Sequence, residues 1–135
     1  MKTTTYLVLA IFILLNSCSK NDDPEPTTEE LLISGKWFFN KYNGEDINSC
    51  ERQTYFHFTD ANSLIVESFA FNSSSMVCQS GGLIGYSYTI NSNNEIITTG
   101  GGTILTFQIK SISQTSLVLV RQISSGALIE TTFIK

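Results

Sequence analysis

Proline is almost absent from this chain. Its two prolines, Pro24 and Pro26, stand close together near the N-terminus. Nothing after Pro26 is therefore barred from donating a backbone hydrogen bond to a ladder. Histidine is scarcer still, with His57 alone. Metal sites usually take three or four ligands, and one histidine with scattered carboxylates is poor material for one. Catalysis through His57 would need a nucleophile and an orienting acid within hydrogen-bond reach, and no spacing of Ser or Asp singles out such a pair. No residue is assigned to catalysis or to a metal, and no cofactor is expected. Charge is sparse at 15% of residues. Residues 31–135 hold seven acids and six bases, so they lack the basic face that a nucleic-acid partner calls for. Gly81-Gly82 and Gly100-Gly101-Gly102 open no helix and so are not phosphate loops. After residue 15 there is no apolar run approaching the roughly 20 residues that a spanning helix needs.

What is present divides the chain into three parts. Lys2 precedes the unbroken apolar run Tyr6–Leu15, which is too short to span and has the form of a secretory signal. The run closes on Leu14-Leu15-Asn16-Ser17-Cys18. This stretch resembles a bacterial lipobox, with Asn16 where a small residue is more usual. The resemblance implies that residues 1–17 are a signal peptide removed before Cys18, and that Cys18 carries a lipid which tethers the chain to a membrane. The part after the anchor is expected to be soluble.

Residues 18–30 contain both prolines and five acids against the single base Lys20. They offer no apolar side chain to offset the entropy of ordering. An acidic, Pro-containing tether is expected, reaching about 40 Å at roughly 3.1 Å per residue. Ser19-Lys20-Asn21-Asp22-Asp23 also resembles the surface-export signal of Bacteroidota lipoproteins. That signal implies an outer-membrane lipoprotein displayed on the cell surface. An ordinary solvated linker explains the same residues, so both the periplasmic and the surface orientation stay open within the cell envelope.

Residues 31–135 are long enough for one good core and too short for two. Thr28–Ile33 suits a single helical turn, with Thr27 or Thr28 as N-cap and Glu29 and Glu30 in the first turn. Beyond it, β-branched and aromatic runs alternate with Gly, Asn and Ser turns, as in all-β folds. The expected strands are residues 35–43, 53–58, 63–71, 85–90, 95–99, 103–112, 116–123 and 127–135. No helical segment after Gly35 is long enough to cross between parallel strands, so an antiparallel meander follows. Alternation places Leu105, Phe107 and Ile109 on one face. Tyr86, Tyr88 and Ile90 share another, as do Ile129, Thr131 and Phe133. One-sided strands of this kind suit a sheet that curls round its own core.

Two cysteines remain once Cys18 is set aside, and an even pair in an exported chain reads as a disulfide. A turn at residues 59–62 sets Phe58 opposite about Leu64. It brings Cys50 opposite about Asn72, at the open end of the hairpin, and Ser73-Ser74-Ser75 gives slack for Cys78 to reach it. A Cys50–Cys78 bridge is expected.

Gly35-Lys36-Trp37, after a short acidic helical turn and opening the first strand, resembles the Gly-x-Trp signature of the lipocalins. Residues 31–135 as a whole resemble the lipocalin-like domain of small Bacteroidota lipoproteins. The family's Thr-Asp-Tyr motif is missing and the domain is short. The resemblance implies an all-β, eight-stranded, antiparallel up-and-down barrel preceded by a short helical turn. It also implies that Arg121 packs over Trp37 to close one barrel end.

Two functions from different classes remain. One is a binding module that takes a small apolar or glycan-like ligand at the barrel mouth through Tyr55, Tyr86, Tyr88 and Phe107. The other is a surface interaction or structural lipoprotein with a filled core, working through loops 43–49 and 71–82. An internal void of a few hundred Å3 separates the first from the second. An enzyme ranks third.

Overall fold

The structure, a computed structural model, describes residues 24–135. The expected signal peptide, the lipidated Cys18 and most of the tether lie outside the described residues. Helix α1 (Thr28–Ile33) begins within the stretch assigned to the tether. Thr27 caps it in a reciprocal box: its hydroxyl accepts from the Glu30 amide at 3.2 Å, and its amide donates to the Glu30 carboxylate at 2.7 Å. The Thr27 backbone N–H, and after it the Thr27 hydroxyl, donate to the exposed Glu30 carboxyl and hold it below its ordinary pKa.

Nine strands follow. They are β1 (Lys36–Tyr42), β2 (Glu45–Asp46), β3 (Tyr55–Phe58), β4 (Ser63–Asn72), β5 (Val77–Ile90), β6 (Glu95–Gly100), β7 (Thr103–Ile112), β8 (Ser116–Gln122) and β9 (Leu128–Ile134). Each pairs antiparallel with its neighbour from β3 to β9, and β9 returns to pair with β1. The eight long strands thus form a closed antiparallel barrel, as expected. Closure gives every strand of the ring a paired neighbour on each side. Strand β2 is a two-residue ribbon that takes the place of β3 beside the end of β1.

Turn chemistry supports these hairpins. Gly101 and Gly102 take φ of +59° and +76° between the paired Gly100 and Thr103, the backbone that a two-residue hairpin requires. The expected register of Phe58 opposite Leu64 is found.

Two strand assignments need correction. Residues 53–54 lie at the end of a 3-10 turn (Glu51–Gln53) and not in β3. More substantially, β5 starts at Val77, eight residues before the expected Gly85. The stretch read as a free loop is the outer part of the β4–β5 hairpin, with Asn72 paired to Val77 and Phe71 to Cys78. Its Ser and Gly residues mimic a turn, but strand-length pairing with β4 overrides that local preference. The Cys50–Cys78 bridge forms, with Cα atoms 5.5 Å apart. Cys78 reaches Cys50 from a position in β5 and not from a slack serine loop.

The core fills one end of the barrel. Leu32, Trp37, Phe58, Leu64, Tyr88, Ile96, Leu117, Leu119 and Phe133 are almost fully buried there. Helix α1 sits over this end. The Trp37 indole donates from Nε1 to the Leu32 carbonyl at 2.9 Å, which ties the helix to the first strand.

Candidate functional site

Strand direction assigns each residue to one of two barrel ends. The closed end holds the start of β1, the end of β3, the end of β5 and the start of β8. The open end holds the Gly100–Thr103 turn, the start of β9 and the outer β4–β5 hairpin. Between the floor and the open end lies a cavity of about 250 Å3. Its wall is mostly apolar: Phe56, Val66, Tyr86, Leu105, Phe107 and Ile129 line it above Leu64 and Leu119.

The period of two sorts these residues. Leu105 and Phe107 face inward while Thr106 and Gln108 do not line this cavity. Leu117, Leu119 and Arg121 share the inner face of β8, and Ile129, Thr131 and Phe133 share that of β9. Tyr86 finds room because the residue packed against it on β6 is Gly100. A Cβ on Gly100 would come within 2.8 Å of the Tyr86 ring and of the Gly85 carbonyl oxygen.

The four residues expected at the ligand site do not gather in one place. Tyr86 and Phe107 line the cavity as expected. Tyr55 does not: it lies on the outside of the barrel, against Phe38 at 5.8 Å, with the Lys36 ammonium 3.8 Å above its ring. The inner face of β3 is Phe56 and Phe58. Tyr88 faces inward but belongs to the floor. Its ring packs edge-on against Phe58 at 5.0 Å, and its hydroxyl donates to the Asp60 carbonyl at 2.8 Å. Burial there pushes its phenol up to about 12, helped by the charges of Glu29 and Asp60.

The expected Trp37–Arg121 pair is also corrected. The cation over the Trp37 ring is Lys135, with Nζ 4.2 Å from the ring. Lys135 also donates to the Ser34 hydroxyl, just past α1. Arg121 is at the opposite end of the barrel, its guanidinium 6.0 Å from the Phe107 ring. A count of strand directions carries the signal for this. Strand β8 runs antiparallel to β9, and β9 antiparallel to β1, so the end of β8 lies far from the start of β1. Lys135 follows the end of β9, beside that start.

Polar groups in the cavity wall are few. The Thr98 hydroxyl is already engaged, donating to the Leu105 carbonyl at 3.2 Å. Tyr42, Tyr86, Thr131 and Arg121 supply the rest. Of these, only Thr131 and Arg121 differ from the large apolar or aromatic residues that dominate the wall. His57 pairs with Ile65 and Lys36 on the barrel wall and takes no part in the cavity. Among the described residues no group of three or more His, Cys, Asp or Glu side chains is placed to hold a metal.

The model of the lipocalin-like domain matches residues 33–119. The chain belongs to the lipocalin-like domain family. Among solved structures, bovine odorant-binding protein in complex with its natural ligand is similar at 18% identity. That match covers 83% of this chain and 74% of that one, with a TM-score of 0.43. The complexes of the same bovine protein with undecanal and with a selenium-containing odorant match with TM-scores of 0.43 and 0.44. Their identities are 18% and 19%, over 84% and 81% of this chain and 74% and 75% of those chains. No curated protein matches this chain. The lipocalin-like barrel of this chain has a floor made by Trp37, Phe58 and Tyr88, and a lumen that opens at the far end.

Proposed function

We propose that this lipocalin-like chain is a lipid-anchored binding module of the cell envelope whose barrel lumen holds a small apolar ligand. The observation that carries the ligand is the cavity of about 250 Å3 lined mainly by Phe56, Val66, Tyr86, Leu105, Phe107 and Ile129. Pockets that bind small molecules are concave and mostly apolar, with a few placed polar groups. A filled core would leave no such lumen, which weighs against a purely structural lipoprotein. The scarcity of free polar groups in the wall favours an apolar ligand over a glycan-like one, because each buried sugar hydroxyl would need a partner. The fold and its lumen support binding and give no support to catalysis.

The anchor rests on the lipobox-like residues 14–18, with Cys18 as the lipidated residue, and the envelope location rests on that anchor. A Bacteroidota-type outer-membrane lipoprotein, facing the periplasm or the cell surface, is the reading that residues 19–23 favour.

Titration with N-phenyl-1-naphthylamine, an uncharged apolar fluorophore, tests the lumen. Saturable enhancement that is lost in Leu105→Trp is expected; equal enhancement in both proteins counts against it. Mass spectrometry of the membrane fraction tests the anchor. A chain beginning at a lipid-modified Cys18 is expected, and an intact Met1 or an unmodified Cys18 sinks it.

A further inference from the structure

We infer that the ligand is an anionic amphiphile, with an alkyl chain in the lumen and a carboxylate held by Arg121. This deepens the reading of the lumen as a ligand site and rests on it.

Arg121 is the one charged side chain in the cavity wall. Residues 117, 119 and 121 of β8 alternate onto the inner face. Leu117 and Leu119 are buried, and Arg121 stands where a third apolar residue would complete the stripe. It is half-buried. A guanidinium facing apolar wall loses hydration, and that loss is offset only by a partner. The three ion pairs among the described residues use Lys41 and Arg52 on Asp46, and Lys110 on Glu130. Arg121 is in none of them. Its guanidinium lies 6.0 Å from the Phe107 ring, the outer limit of a cation–π contact.

A second observation shows where a head group would sit. The β7–β8 ladder stops at Gln108 opposite Val120. Beyond that rung the two strands part, and the mouth-side half of β7 pairs with β6 alone. The gap opens into an outer cleft of about 700 Å3 bordered by Ile104, Val120, Gln122 and Leu128. Leu105 and Arg121 line both this cleft and the lumen. Arg121 thus stands at the junction of an apolar pocket and a wetter opening. Glu95 also borders the cleft, and its carboxylate accepts from the Asn91 side-chain amide at 2.6 Å.

The chemistry of the occupant follows. The planar guanidinium presents paired donors that match a carboxylate in two parallel hydrogen bonds. A water-sized unit takes roughly 30 Å3, so the lumen holds a chain of about eight methylene-sized groups. A medium-chain monocarboxylate meets both demands, while an ammonium head group meets repulsion at the same point.

Isothermal titration of the full chain with octanoate, 1-octanol and octylammonium tests this. Octanoate is expected to bind about tenfold tighter than octanol, as a charge-assisted hydrogen bond implies, with octylammonium weakest. Arg121→Gln should lower the ratio of octanoate to octanol affinity from about ten to about one. Arg121→Lys should keep part of the preference. Raising the salt concentration on the unmodified chain should weaken octanoate and spare octanol, a readout that needs no variant to fold. If octanol binds and octanoate binds no tighter, the Arg121 anchor is wrong and the lumen reading stands. Should neither bind, the lumen reading itself falls.

Discussion

The rings of Phe56 and Phe107 meet edge to face across the barrel, their centroids 6.1 Å apart and their planes at 79°. Phe56 also touches Phe133, at 4.8 Å, so the pair links the packed floor to the wall of the lumen. Edge-to-face pairs add about 0.5–1.5 kcal/mol beyond the area they bury. Phe107 is only half-buried, so Phe107→Ala should cost about 2 kcal/mol, below the range for a fully buried ring. Urea unfolding measures it. A variant as stable as the parent would show that the two rings do not brace the barrel.

Trp37 is the sole tryptophan and is fully buried at the closed end. Trp37→Phe retains a ring but removes the donor to the Leu32 carbonyl, leaving that buried acceptor without its partner. A loss of about 1–3 kcal/mol is expected, and it should appear in thermal unfolding followed by circular dichroism. In the parent chain, indole emission should shift to longer wavelength on unfolding. An emission maximum already at its water-exposed position in the native state would contradict the floor.

Tyr88 makes stability depend on alkaline pH. Its phenol ionises at about 12 in the folded chain, chiefly because burial disfavours the phenolate, against about 10 when unfolded. Between these values the unfolded state releases a proton that the folded state keeps. The contribution is therefore complete below about pH 10 and is lost as pH rises to about 12, up to roughly 2–3 kcal/mol. Urea midpoints measured across that window should fall more steeply for the parent than for Tyr88→Phe. Parallel slopes for the two proteins would exclude Tyr88 as the source. At pH 7 the same variant should lose about 1 kcal/mol, for the hydrogen bond to Asp60.

The Cys50–Cys78 bridge joins residues 28 positions apart and pins the 3-10 turn before β3 to the outer β4–β5 hairpin. Cys50→Ser combined with Cys78→Ser should lower stability by about 3–4 kcal/mol in the chain-entropy model. A matching loss is expected when the parent is reduced with dithiothreitol. Reduction that leaves the unfolding midpoint in place would mean that strand pairing alone holds the hairpin.

The strands were legible where alternation is clean. Residues 103–112 appear as read, because Leu105, Phe107 and Ile109 alternate with Thr106, Gln108 and Lys110. The strand expected at 116–123 ends at Gln122, and it was legible as an apolar, β-branched run between two turns. The outer half of β5 was illegible for the opposite reason. Cys78-Gln79-Ser80-Gly81-Gly82 has no apolar stripe, and the partner strand and the disulfide hold it. In β3, alternation separates Tyr55 and His57 from Phe56 and Phe58, but both sets contain large aromatics. Polarity alone could not say that Phe56, and not Tyr55, faces the lumen.

Local chemistry along the chain determined the number of barrel strands, their antiparallel order, the capped helix before them and the cysteine pair, because each depends on neighbours within a few residues or on parity. Closure of the ring decided the rest. Only when β9 pairs with β1 does the chain acquire two unlike ends. Lys135 then lies over Trp37 at the packed one, while Arg121 faces an apolar lumen at the other. The physical reason is that side-chain alternation chooses between two faces, whereas a position along the barrel axis is set by strand direction and by partners up to a hundred residues away.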